Sequence, residues 1–258
     1  MSVTTLLLVA LIFLAIATIY SSVGFGGGSS YLAILTFVVV SFYTIRSMAL
    51  VCNIIVVGGS LYWFAKKGHF DLRQFLPFVL TSVPMAFLGA SFRLDEYIFF
   101  IILGFALIAS ALFLFWQATT SQQTSGPEDS KEYPNYLSYI LGACIGFLSG
   151  LVGIGGGIFL APLLHHLQWG RPVKIASLAC FFILVNSVSG IGGLLYAGTL
   201  ELPVKEILVL GIVVLLGGQL GIRLSLKKLS AQGLRFITAL LVLIVGMRVL
   251  LVNGLQWF

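Results

Sequence analysis

The chain has 258 residues, 59% of them hydrophobic and 9% charged, with a formal net charge of +6. Soluble domains carry about 25% charged residues, so the polar surface is too small to face water and the chain reads as a polytopic membrane protein. Its 14 basic residues are dispersed through short loops, which argues against a nucleic-acid surface and for a role in membrane orientation.

Taken in order, the first half supplies five apolar segments, at about 3–22, 29–42, 47–65, 74–92 and 97–116. The opening stretch lacks a basic n-region and stays apolar beyond its Ala15-Ile16-Ala17, so it is read as a retained first helix rather than a signal peptide. A polar stretch, QATTSQQTSGPEDSKEYPN at 117–135, reads as a solvated linker. Five more apolar segments follow, at about 136–152, 158–168, 173–197, 203–224 and 234–252. Cys52, Cys144 and Cys180 all lie inside apolar runs without paired spacing, so they are expected to pack between helices rather than form disulfides or bind metal.

The two halves echo each other. GFGGG at 24–28 is followed by Asn53, Gly89 and Arg93, and GIGGG at 153–157 by Asn186, Gly221 and Arg223. The successive intervals are 25, 36 and 4 residues against 29, 35 and 2, which reads as a duplication. The expected organisation is a first transmembrane repeat at 1–116, a cytoplasmic linker at 117–135 and a second repeat at 136–258. The segment after each glycine run is short. Eleven residues at 1.5 Å each cover about 17 Å, against a hydrocarbon core of about 30 Å. Each run is therefore expected to join a helix to a short one that returns, as a hairpin or re-entrant unit.

That parity inverts the halves with respect to each other. One side then holds Lys66, Lys67, Arg73, Lys131, Arg171, Lys174, Arg223, Lys227, Lys228 and Arg235, and the other only Arg46, Arg93, Lys205 and Arg248. Basic residues collect on the cytoplasmic side, so both termini are placed outside the cytoplasm. The expected fold class is all-α, with two inverted repeats of about five helical segments and 8–10 membrane segments in all.

The chemistry is sought at the glycine runs. Irregular backbone at membrane depth is tolerated only against protein or a water-filled cavity, and a short helix starting there offers free N–H groups and the positive end of its dipole. The candidate substrate-binding residues are Gly24, Gly26, Gly27, Gly28, Ser29, Ser30 and Asn53 in the first copy. Gly153, Gly155, Gly156, Gly157, Asn186 and Ser187 are their counterparts in the second. Glycines could instead serve only close helix packing, and the two amides could form interhelical hydrogen bonds worth about 1 kcal/mol. Asp71, Asp95, Glu96, Glu201 and Glu206 flank helices rather than interrupt them, which favours an anionic or neutral substrate over a cation.

At these motifs the chain resembles the sulfite exporter TauE/SafE family, also grouped as sulfonate uptake permeases. The second copy carries most of the likeness, with GFLSGLVGIGGGIFLAPLL at 146–164 and ASLACFFILVNSVSG at 176–190. The first, SSVGFGGGSSYLAIL at 21–35, keeps the glycines but has Ala33 where the second has Pro162. The resemblance implies an inner-membrane transporter of sulfite, thiosulfate or organosulfonates. Alternating access around the two runs would then move the anion.

The expected partners are a small anionic substrate and the lipid bilayer, with a homodimer as an open option, no nucleic acid, no cofactor and no assigned coupling ion. A passive anion channel or a membrane scaffold subunit is the alternative. An intramembrane protease is disfavoured, because Ser149-Gly150 follows Phe147-Leu148 and lacks the Gly-x-Ser-Gly nucleophile motif. Handling of thiosulfate sulfur by the cysteines is the remaining variant.

Overall fold

Serine, aspartate and proline start these helices, and glycine ends several of them. The structure, a computed structural model, describes residues 2–39, 41–119, 133–225 and 231–254, so most of the expected linker and Lys131, Lys227 and Lys228 lie outside the described residues. Among those residues every regular element is helical. The first half gives α1 (Val3–Val23), α2 (Gly28–Leu35), α3 (Phe42–Lys66), α4 (Leu72–Ser91) and α5 (Glu96–Thr119). The second gives α6 (Asn135–Val152), α7 (Gly157–His166), α8 (Pro172–Tyr196), α9 (Val204–Ser225) and α10 (Ala231–Arg248), continued by a π-helical stretch, Val249–Gly254.

Ser2, Ser41 and Asp71 each accept a hydrogen bond from the backbone N–H three residues on, at 3.2, 3.4 and 3.4 Å. These side chains satisfy N–H groups that a helix start leaves without partners. Proline opens α8, where its missing N–H costs nothing. The segment expected at 29–42 is shorter than its apolar character indicated. Helix α2 stops at Leu35, where the Thr36 hydroxyl turns back onto the Ala33 carbonyl at 2.7 Å and the β-branched Val38 and Val39 follow. Ser41 then starts α3 about five residues earlier than expected.

Among the described residues, seven helices are long and apolar enough to cross a membrane, namely α1, α3, α4, α5, α6, α8 and α9. The 8–10 segments expected included hairpin or re-entrant helices: α2 and α7 are too short to cross alone, and the apolar part at the end of α10, Val242–Val252, is also short. Large apolar side chains point outward along several of the seven, including Leu7 and Leu11, Phe105 and Leu112, and Leu208, Ile212 and Leu216. Such an outer surface suits hydrocarbon.

Glycine stripes set the packing. Gly142, Gly146 and Gly150 of α6 lie on Phe78, Ser82 and Ala86 of α4 so closely that a Cβ would fall 2.2, 2.6 and 2.0 Å from their atoms. Small residues at every fourth position let two backbones touch without a hydrophobic driving force. Both series ascend together, so α4 and α6 run in the same direction. Gly217 and Gly221 of α9 meet Leu14 and Thr18 of α1 in the same sense. The pairs Gly59 with Leu215 and Trp63 with Gln219 align α3 with α9, and Val83 with Ser189 and Phe87 with Gly193 align α4 with α8. By contrast α5 and α10 run oppositely, since Gly104 meets Leu250, Leu107 meets Gly246 and Phe115 meets Phe236. Helices α3 and α8 also oppose each other: Leu50 lies beside Gly190, and Glu201 beyond the end of α8 binds Ser41, Thr44 and Ser47 at the start of α3. Exchanging the two halves maps one set of helix contacts onto the other. Helix α4 on α6 becomes α9 on α1, α3 on α9 becomes α8 on α4, and α5 on α7 becomes α10 on α2.

The Glu201 clamp yields a pH prediction. Hydroxyls of Ser41 and Thr44 donate to its carboxylate and hold its pKa below the ordinary value. A depressed carboxylate stabilises the fold above its unfolded pKa, and that contribution is lost as pH falls through the folded value. Glu201→Gln should therefore lower the melting temperature in detergent at neutral pH, with the gap to wild type closing on acidification. A gap that persists in acid would refute the clamp.

Candidate functional site

The two glycine runs form the joints α1–α2 and α6–α7, and the long pair α3 and α8 encloses them. Gly24 ends α1 at φ +87° and Gly153 ends α6 at φ +79°, a left-handed turn that a residue with a Cβ rarely adopts. Gly27 and Gly156 sit at the N-cap positions of α2 and α7, again with positive φ. Neither helix start receives a side-chain cap. The Gly27 carbonyl accepts from Ser30 and Tyr31, and the Gly156 carbonyl from Phe159 and Leu160. The N–H groups of Gly28, Ser29, Gly157 and Ile158 precede the first bonds of their helices and face no such partner.

One side chain joins both runs. Asn53 is the twelfth of the 25 residues of α3, close to the helix midpoint, and is fully buried. Its Nδ2 donates to the Ile154 carbonyl inside the second run at 2.9 Å. Cβ atoms placed on Gly26 and Gly28 of the first run would fall 2.6 Å from its Oδ1 and 2.4 Å from its Nδ2, and one on Gly155 would fall 3.3 Å from Nδ2. A single amide thus fills the space that three glycines of the two runs leave open. Asn53 Oδ1 has no hydrogen-bond partner.

Helix α8 closes the opposite side. Gly24 packs on Ala176, and the Cys180 thiol donates to the Gly24 carbonyl at 3.4 Å. Gly155 and Gly157 pack on Ile183. Ser187 Oγ lies 3.0 Å from where a Cβ of Gly155 would stand, so Ser187 and Asn53 converge on one glycine from two helices. Asn186 is the fifteenth of the 25 residues of α8. Both of its amide atoms, together with Ser187 Oγ and Ser149 Oγ, are buried without a hydrogen-bond partner. Ser149 lies against Gly156.

The placement of the other candidates differs from expectation in detail. Ser29 and Ser30 are buried at the start of α2, but the Ser30 hydroxyl is 2.7 Å from the Tyr20 hydroxyl of α1 and Ser29 Oγ is 3.5 Å from it. Their first partner is therefore a protein hydroxyl. Pro162 distinguishes the second copy, since its missing N–H leaves the Ile158 carbonyl free, and Ser110 of α5 donates to that carbonyl at 2.9 Å. Cys52 and Cys180 are buried and Cys144 is exposed, all three as free thiols. His166 packs against the rings of Phe113 and Trp116.

Arg46 stands here as well, although sequence reading assigned it only to the balance of loop charges. It lies on α3 seven residues before Asn53, which puts both on one face about 10 Å apart along the axis. It is 1% exposed, and its Nη2 donates to the Gly150 carbonyl at 3.1 Å. Its signal in the sequence was an arginine inside an otherwise apolar stretch, FYTIRSMALVC.

Comparison with known proteins places the chain among membrane transporters. Residues 8–249 match a family model described as Sulfite exporter TauE/SafE. A probable membrane transporter protein of Sinorhizobium fredii is 32% identical over 243 residues, covering 93% of this chain and 96% of that protein. Another from Methanocaldococcus jannaschii is 29% identical over 252 residues, covering 88% and 89%. No solved structure matches the chain.

The two amides separate by stability. Asn53→Leu removes a made bond and leaves the Ile154 carbonyl unsatisfied, which should cost about 1 kcal/mol or more. Asn186→Leu removes two unsatisfied atoms and should leave the melting temperature unchanged or raised. Equal destabilisation by both, measured by thermal unfolding in detergent, would contradict the bonding described.

Proposed function

The chain belongs to the sulfite exporter TauE/SafE family of membrane transporters, and from that premise we propose that it is a secondary transporter of small anions, of the class of sulfite, thiosulfate or organosulfonates. The substrate is held where the two glycine runs meet between α3 and α8. One observation carries this reading: uncapped starts of α2 and α7 lie beside the unpartnered Asn53 Oδ1, Ser187 Oγ and Ser149 Oγ, and Asn186, next to Ser187 on α8, is likewise buried and unpartnered. Free N–H groups, hydroxyls and an amide donor recognise an oxyanion's several oxygens, and the positive ends of two helix dipoles favour its charge. Buried polar groups at this depth are costly without partners, so a ligand that takes their hydrogen bonds binds with that cost relieved. Asn186→Leu, in this reading, keeps its fold and loses transport.

Alternating access fits an inverted pair of repeats with broken helices meeting at the midplane. In support, α3 and α8 oppose each other, as do α5 and α10. Helix α1 runs with α9 and α4 with α6, which sets the direction of each first-half helix against its counterpart. Because α1 and α3 then run the same way, the segment that begins with the short α2 brings the chain back across, as a re-entrant unit does. The basic residues Lys66 and Lys67 at the end of α3, Lys174 near the start of α8 and Arg223 near the end of α9 fall on one side in this arrangement, which would be the cytoplasm.

Two measurements test the proposal. Sulfite, thiosulfate or a short sulfonate should raise the melting temperature of the purified protein and drive saturable counterflow in proteoliposomes. Conduction without saturation would favour a passive channel. No stabilisation by any of these anions would defeat the substrate assignment. For topology, reporters fused after Gly68 and after Gly198 should lie on opposite sides of the membrane, and a common side would overturn the inversion.

A further inference from the structure

Arg46 is the only buried basic side chain among the described residues, and it has no carboxylate partner there. Its guanidinium carbon lies 5.4 Å from the Phe42 ring centroid and 5.5 Å from that of Phe99. Its one hydrogen bond goes to the Gly150 carbonyl in the last turn of α6, while its Nε is buried and unpartnered. That Nε lies 3.7 Å from where a Cβ of Gly153, the first glycine of the second run, would stand.

Capping a helix end does not by itself explain this burial. Arg93 performs the same service for α8, donating from Nε and Nη2 to the Ala197 carbonyl at 3.1 and 2.5 Å, yet it remains exposed. A carbonyl and two ring faces bring partial charges to a guanidinium but do not neutralise it. An isolated charge inside a membrane protein is expensive and marks a functional path by default. Moreover the guanidinium is a planar set of donors matched to oxyanions, and Arg46 has used only part of it.

We propose that Arg46 is the fixed cation of the anion site, with the transported oxyanion as its counter-ion, taken up beside the guanidinium at the Gly153 end of the second glycine run. This rests on the anion-transport reading above and adds to it the group that carries the charge. The helix N-termini and the polar atoms around Asn53 then form a second station for the anion along α3, and the arginine supplies the electrostatic preference for an anion over a neutral analogue.

Binding of sulfite and of thiosulfate to the purified full-length protein, read as thermal stabilisation across a titration, separates the possibilities. Arg46→Gln should weaken both at least about thirty-fold, and Arg46→Lys, which keeps the charge, should retain part of the affinity. Phe99→Glu places a carboxylate beside Arg46. It gives the cation a permanent partner, so the protein should remain folded while anion binding is lost, which keeps the test decisive even if Arg46→Gln fails to fold. Arg93→Gln, which removes a helix-capping arginine elsewhere, should leave anion affinity unchanged. Undiminished binding in folded Arg46→Gln or in Phe99→Glu, with wild type binding normally, would overturn the role of Arg46 alone. A wild-type protein that binds neither anion would overturn the anion-transport reading together with it.

Discussion

A chain that interrupts its helices at hydrocarbon depth must find partners for the backbone it exposes, and the rest of this structure follows from how it does so. Water is unavailable there, so the exposed groups need protein or a polar cavity. The two interruptions are placed against each other, between α3 and α8, where the amide of Asn53 reaches into both. Close approach is possible because glycine leaves the space that the amide occupies. The same economy recurs along the scaffold, where Gly142, Gly146 and Gly150 bring α6 onto the backbone of α4. Packing by small residues thus fixes the long helices, and the fixed helices hold the broken ones.

The remaining polar groups do not share one fate. Several at helix ends are satisfied locally, as where Lys174 approaches Asp71 at 3.7 Å or Arg93 covers the end of α8, while Arg46 near the start of α3 is not. Those near the middle of α8 are buried without partners, as Asn186 and Ser187 are. Stability alone gives no reason for the second group, since apolar residues of similar size would pack there at no electrostatic cost. The contrast divides the molecule into a frame satisfied within itself and a centre that is not.

Helix positions were legible in the sequence because apolar runs, caps and glycine stops are local properties. Gly24 and Gly153 announce ends without reference to the rest of the chain, whereas the cap at Ser41 went unread and α3 was placed about five residues late. The expectation of a duplication rested in part on Asn53 and Asn186 at similar offsets. What could not be read was which groups pair across the fold. Asn53 and Asn186 look alike in sequence, yet one bonds a carbonyl 101 residues away and the other bonds nothing. Ser29 and Ser30 read as free donors until Tyr20, a turn before the end of α1, took up the hydroxyl of Ser30. Arg46 was visible as a charge but not as a buried one, because burial depends on α5 and α6 closing over it. Segment 29–42 was read as too long because apolar character persists through Val38 and Val39 after the helix has ended.

Pro162 and Ser110 carry a consequence of a different kind. Two conformations related by swapping the roles of the halves would be degenerate only if the halves were chemically identical. They are not: the Ser110 bond to the Ile158 carbonyl exists because Pro162 releases that carbonyl, and Ala33 at the matching place releases none. In the alternating-access reading proposed above, that difference makes one conformation the ground state and gives the molecule a resting side.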